Sequence, residues 1–208
     1  EKETWHLDQW ADDIAIFCST LGISSPVVFG QSFGGMVAMH YAARHPKGIS
    51  KLILSSTAAQ FRLDETVKMM RKLGGTRAAD VAREFFSNPS KVAYDTYGQV
   101  CLPLYSNPNV PSAGAFRDRA IERPEVAFHF FSDEMAQMDM RAEIANITCP
   151  TLVIGGAVDP VTPPICSEAI ADAIGDNARL QMLEDCGHGP HRDNPKGAEK
   201  IMRHFLAD

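Results

Sequence analysis

One stretch constrains this chain more than any other: Val27-Val28-Phe29-Gly30-Gln31-Ser32-Phe33-Gly34-Gly35-Met36. Its apolar start reads as a short buried strand, a turn of small residues follows, and an apolar helix is expected to run through about Ala43. The turn spells G-x-S-x-G, with Gly30 and Gly34 each two residues from Ser32. A serine carried on so sharp a strand-to-helix turn sits in a strained backbone, and the glycines on both sides are expected to leave room for crossing backbones. The helix behind it directs unpaired N–H groups and a positive dipole end at the serine oxygen. Negative charge developing at that point would be stabilised there, with the Phe33 N–H as the first donor.

Short patterns of this kind also arise by chance, so the rest of the chain has to support it. Residues 7–21 place Leu7, Trp10, Ala11, Ile14, Phe17, Cys18 and Leu21 on one helical stripe, closed by Gly22, with Asp12 and Asp13 on the wet face. His45-Pro46 ends the helix that follows the serine, because proline cannot continue the ladder. Residues 51–56 and 151–156 are apolar runs of the kind buried inside a parallel sheet. Residues 179–184 alternate toward a last strand, and helices are expected over 164–174 and 194–206. Strand, helix, strand in repetition predicts an α/β fold with a mostly parallel sheet flanked by helices.

Between residues 61 and 140 the texture changes. Helical segments are expected over 64–73, 76–86, 89–101 and 124–138. They are broken at Gly74-Gly75, Asn88-Pro89, Pro103 and the turn-rich run Asn107-Pro108-Asn109-Val110-Pro111. Aromatic residues concentrate here: Phe85, Phe86, Tyr94, Tyr97, Tyr105, Phe116, Phe128, Phe130 and Phe131. Most are expected to form the segment's own core and a minority to line a substrate pocket. The domain reading is therefore a core of residues 1–60 and 141–208 with a helical insertion at 61–140.

Three reactive side chains fall at the C-terminal ends of strands, the edge of an open parallel sheet where ligands bind: Ser32, Asp159 and His188. A hydroxyl is a poor nucleophile until a neutral imidazole takes its proton, a role suited to His188. Asp159 would hold the imidazole tautomer and stabilise the imidazolium. Two competing readings stay open: Asp159-Pro160 as no more than a helix-approach turn, and His191 as the base. Gly187 and Gly189 favour His188 by allowing a tight loop. His40 and His45 read as packing and capping residues. Asp12/Asp13 and Asp133/Glu134 are sequence neighbours that point apart, so they make poor acid–base pairs. No cluster has metal-ligand spacing and no cofactor is expected.

Gly30 to Gly35, the run Gly155-Gly156-Ala157-Val158-Asp159-Pro160-Val161-Thr162-Pro163, and Gly187-His188 through Pro195 together resemble the signatures of the α/β-hydrolase superfamily. The insertion, with Cys101-Leu102-Pro103-Leu104-Tyr105 inside it, is similar to the cap of proline iminopeptidase-like members. The resemblance implies Ser32, Asp159 and His188 as a catalytic triad, the Phe33 N–H as half of an oxyanion hole, and a cap that shapes the pocket. The chain departs from proline iminopeptidases in having Phe33, Gly34 and Gly35 where they typically have tryptophan and, further on, serine. Glu122, Glu125 and Glu134 are the candidates for recognising a substrate amine.

Members of the superfamily also carry several strands, and a loop donating the second oxyanion N–H, ahead of the serine strand. Those strands and their connections would take at least about 60 residues. The strand at 27–29 is thus expected to have an open edge, covered in the intact protein by an N-terminal segment absent from this sequence (a separate polypeptide, or one lost by truncation) or by a second copy of the chain. Full activity of this chain as a soluble monomer on p-nitrophenyl esters would refute that expectation.

The leading functional expectation is a serine hydrolase cleaving an ester or amide of a small substrate, with aminopeptidase activity one option. The alternatives are a silent binding protein on the same scaffold and a non-hydrolytic member (a perhydrolase or C–C hydrolase). Among the 208 residues the formal charge is −6 with no basic cluster, which argues against nucleic-acid or anionic-membrane partners. Five cysteines without C-x-x-C spacing suit reduced thiols in a cytoplasm.

Overall fold

The computed structural model describes residues 2–107, 121 and 123–208. Its sheet has strands β1 (Val27–Gln31), β2 (Lys51–Ser55), β3 (Thr151–Gly156) and β4 (Ala178–Leu183), in the order β1-β2-β3-β4. All neighbours are parallel, with Phe29 beside Ile53, Ile53 beside Leu152, and Leu152 beside Arg179. β1 forms the edge, and its Val27 and Phe29 are about half exposed. This is the open edge expected from the sequence.

The unbroken apolar runs of β2 and β3 have a direct cause: both faces of those strands are covered. On one face Leu52, Leu54 and Val153 join the main core with Met39 and Ala42 of helix α2 (Phe33–Arg44) and Ile170 of a later helix. Helix α1 (Leu7–Thr20) adds Leu7 and Ala11 to the same cluster. On the other face Ile53, Leu152 and Ile154 pack against Phe205 near the end of the chain.

Between β2 and β3 come helices α3 (Leu63–Ser87) and α4 (Lys91–Val100), a 3₁₀ turn (Leu102–Tyr105), and helices α5 (Pro124–Ser132), α6 (Glu134–Gln137) and α7 (Arg141–Ile144). After β3 follow α8 (Pro164–Ile174), then β4, a short turn of helix α9 (Pro190–Asp193) and α10 (Pro195–Ala207).

The break expected at Gly74-Gly75 is present: α3 is two helical stretches meeting at a kink where Gly75 leaves helical geometry at φ 73° and ψ −168°. Leu104 lies over the kink, since a Cβ on Gly74 would come within 2.5 Å of its Cδ1. Several other boundaries differ from expectation. The helix expected from Pro89 starts at Lys91, where the Ser90 hydroxyl accepts a hydrogen bond from the Ala93 N–H at 3.2 Å. The helix expected over 124–138 divides at Asp133 into α5 and α6. The loop expected at 186–191 ends by entering α9. Phe116, Glu122 and the turn-rich residues Pro108 to Pro111 lie outside the described residues.

Candidate active site

Ser32 stands between β1 and α2 with φ 52° and ψ −124°, in the positive-φ region that a side chain disfavours. Such a conformation costs on the order of 1–3 kcal/mol, so its surroundings must hold it. They do so from both sides. The Ser32 N–H extends the sheet ladder to the Ser55 carbonyl at 3.0 Å. The Ser32 carbonyl accepts from the Gly35 N–H at 2.9 Å, the Met36 N–H at 3.2 Å and the Thr57 hydroxyl at 2.7 Å.

The glycines divide unequally, which corrects the expectation for Gly34. A Cβ on Gly30 would lie 2.5 Å from the Gly34 carbonyl oxygen and 2.8 Å from the Ala38 Cβ. On Gly35 it would lie 2.6 Å from Thr57 Cβ. Gly34 faces open space. Close approach is therefore required at Gly30 and Gly35, the latter outside the five-residue pattern.

Asp159 follows β3 and is fully buried. Its Oδ1 accepts from the Val161 N–H at 2.8 Å and the Thr162 N–H at 2.9 Å, and its Oδ2 from the Thr162 hydroxyl at 2.9 Å. The carboxylate thus organises the turn that approaches α8, as an aspartate at such a position does. It also faces His188, whose Nδ1 lies 3.0 Å from Oδ1 and 2.9 Å from Oδ2. Burial pushes this carboxyl's pKa up, but the adjacent His188 and the hydrogen bonds from Thr162 and Val161 outweigh it, and the net shift is downward.

An ionised Asp159 can only accept, so the proton between it and His188 sits on Nδ1. That leaves the Nε2 lone pair for the Ser32 hydroxyl, 2.8 Å away. Ser32, His188 and Asp159 therefore form one continuous hydrogen-bonded line. His191 is elsewhere: its ring meets Phe29 edge-on at 6.3 Å, and burial lowers its pKa. His40 sits between Asp8 at 2.6 Å and Glu143 at 2.7 Å, and His45 pairs with Asp12 at 3.1 Å.

Above Ser32 opens a cavity of about 730 Å³. Phe33, Phe61, Phe85, Phe86, Phe130 and Phe131 supply most of its aromatic wall, and Ser32 and His188 also line it. Two glutamates singled out from the sequence are not part of that wall. Glu134 accepts from the Leu7 N–H at 3.1 Å and caps α1, and Glu125 lies near Arg123. The third, Glu122, is outside the described residues. Asp95 does line the cavity, and Lys91 holds its carboxylate at 2.7 Å. Its i, i+4 spacing from Lys91 reads as an ordinary surface pair, so nothing in the sequence signalled it. Thr57 carried no signal either, whereas Thr162 could have been found as the third residue after Asp159 in a turn.

The parallel sheet, the serine turn between β1 and α2 and the hydrogen-bonded line together define a class of protein. Residues 1–195 match the family described as the alpha/beta hydrolase fold, and the chain belongs to it. Among curated proteins it is similar to Strigolactone esterase D14 of Arabidopsis thaliana, at 26% identity over 96% of this chain and 73% of that protein. It is also similar to a pimeloyl-[acyl-carrier protein] methyl ester esterase of Aromatoleum aromaticum, at 29% identity over 85% of this chain and 72% of that protein. Among solved structures, a proline iminopeptidase from Mycobacterium smegmatis superposes with a TM-score of 0.77 at 22% identity, over 100% of this chain and 73% of that one. That last likeness concerns the fold. The names of the curated relatives support a hydrolase, and hence an enzyme.

Proposed function

We propose that the protein is a serine hydrolase that cleaves an ester or amide of a small apolar substrate through an acyl-enzyme. The observation that carries this reading is the line Ser32 Oγ, His188 Nε2 and Nδ1, Asp159, with contacts of 2.8 to 3.0 Å. As Ser32 Oγ attacks the substrate carbonyl carbon, His188 Nε2 takes the hydroxyl proton. Asp159 holds the ring and stabilises the imidazolium while remaining a carboxylate. The imidazolium then gives its proton to the leaving oxygen or nitrogen. Water, deprotonated by the same nitrogen, releases the acyl group from Ser32.

The carbonyl oxygen becomes an oxyanion in both halves. As the first residue of α2, Phe33 has an N–H outside the helical ladder, and we assign it as one oxyanion donor. The insertion at 61–140 acts as a cap whose aromatic wall receives the substrate's apolar part. That wall favours an esterase or amidase for apolar acyl groups over an aminopeptidase, since the one acidic side chain on it among the described residues is already paired. Cys18, Cys101, Cys149, Cys166 and Cys186 are all free thiols, in keeping with a reducing cytoplasm.

A fluorophosphonate probe tests the reading directly. The parent protein should be labelled at Ser32, and Ser32→Ala should take no label. An unlabelled parent, folded by circular dichroism, would leave a binding protein without turnover and end the hydrolase proposal.

A further inference from the structure

The imidazole of His188 must stay within hydrogen-bond reach of partners that follow two different strands, yet it rides on a loop flanked by Gly187 and Gly189. We propose that Asp193 is a positioning residue for His188, tying this loop to residues 105–107 within the helical insertion. The proposal rests on the serine-hydrolase reading above.

One carboxylate oxygen, Asp193 Oδ2, accepts from the Gly187 N–H at 2.7 Å and from the Asn107 N–H at 3.1 Å. Gly187 immediately precedes the imidazole, and Asn107 belongs to the insertion. Asp193 thus joins two segments that share no secondary structure. Further contacts run alongside it. The His188 N–H donates to the Tyr105 carbonyl at 2.7 Å, and the Asn107 side-chain amide donates to the Asp185 carbonyl at 2.9 Å. The Tyr105 ring stands edge-on to the His188 ring at 5.1 Å. So close is the strap that a Cβ on Gly187 would collide with the Tyr105 carbonyl, which is why that position needs glycine. The His188 carbonyl is held from the other side by Arg192 Nη2 at 2.8 Å and Gln31 Nε2 at 3.2 Å.

A peptide held at its N–H, at its carbonyl and at the preceding N–H has little freedom left, and the Asp193 carboxylate joins the Gly187 N–H of the core to the Asn107 N–H of the insertion. Asp193 itself is not part of the cavity wall. Its loss should therefore displace the imidazole without altering the surface that binds substrate.

The test uses the full chain with p-nitrophenyl butyrate, reading kcat and KM separately, together with the rate of fluorophosphonate labelling. Displacing a catalytic group by about 1 Å costs on the order of 10²-fold, so Asp193→Ala should lower kcat by about 10–100-fold and slow labelling in step. Its KM should stay within about twofold of the parent's, since uniform binding is untouched. Asp193→Asn keeps an acceptor oxygen for both N–H groups and should restore kcat to within about threefold. Should Asp193→Ala fail to fold, Asn107→Asp loosens the strap from the exposed side. It removes the donor to the Asp185 carbonyl and sets a second carboxylate beside Asp193, and it should lower kcat alone by several-fold.

An active parent whose Asp193→Ala kcat is unchanged would overturn the proposal. So would equal losses of kcat, KM and thermal stability in both the Ala and Asn variants, the pattern of a merely structural residue. A parent that takes no label fails earlier and differently: it removes the hydrolase reading, and this inference with it.

Discussion

Gly30 and Gly34 look equivalent in the sequence, each two residues from Ser32, yet the space around them differs. Gly30 has no room for a methyl group, because the Gly34 carbonyl and Ala38 occupy it, and Gly34 has nothing within 4 Å. Gly34→Ala should therefore fold and gain about 0.5 kcal/mol from helix propensity and a less flexible unfolded chain. Gly30→Ala should lose stability and activity together. Urea unfolding of the two variants separates them, and equal effects would mean the turn is not packed as described.

At Asp159 the prediction concerns pH. Its pKa is shifted below the ordinary 3.8, so the native state favours the ionised form. The stability this contributes is present above the unfolded value and is lost as pH falls through the lowered one. Asp159→Asn should accordingly lose less stability than the parent when pH is lowered below about 4, measured by thermal unfolding across that range. At neutral pH the same variant should lose on the order of 10⁴-fold in kcat, the loss seen when a triad histidine is left in the wrong tautomer. The candidate triad was legible residue by residue because each member follows a strand marked by its apolar run or its alternation. Its supports at Thr57, Thr162 and Asp193 were mostly not, since a hydroxyl or carboxylate in a loop or a single helical turn has no periodicity to betray it.

Among the elements, α10 illustrates how a single side chain can anchor a helix. Phe205 is buried against Ile53, Leu152 and Ile154, on the sheet face opposite the main core. Lys51 Nζ reaches back from β2 to donate to the Phe205 and Leu206 carbonyls at 2.8 and 3.2 Å, where the helix leaves its last carbonyls unpaired. Phe205→Ala should cost about 3–5 kcal/mol in urea unfolding, whereas the neighbouring exposed Leu206→Ala should cost far less. The same scale separates the boundaries that read correctly from those that misread. Gly74-Gly75 has the composition of a break and makes one: Gly75 leaves helical geometry, and Ala78, Ala79 and Ala82 are buried on the helical stretch that follows. Conversely, 124–138 reads as one helix and divides at Asp133, where the backbone leaves helical geometry (φ −129°, ψ −78°).

For the molecule as a whole, burial sorts the cysteines. Cys101 and Cys186 are pushed up to about 11 and Cys166 to about 12 by desolvation, and all three are almost fully buried. Cys149, also buried, is raised for the same reason. Cys18 is partly exposed on α1. Iodoacetamide at pH 8 should therefore modify Cys18 alone in the native protein and all five only after unfolding, as read by mass spectrometry. Early modification of Cys166 would contradict the packing of α8.

What the chain determines by itself is local and periodic. Apolar runs choose the strands, stripes choose the helices, and a serine between small residues chooses the turn, because these signals act between residues close in sequence. The meeting of positions 32, 159 and 188 could be expected from where the strands end. The aromatic wall around Ser32, the use of Glu134 to cap α1, the hidden necessity of Gly35 and the strap across His188 were decided only when distant segments packed. Each depends on distances between residues far apart in the chain, and no local pattern encodes those.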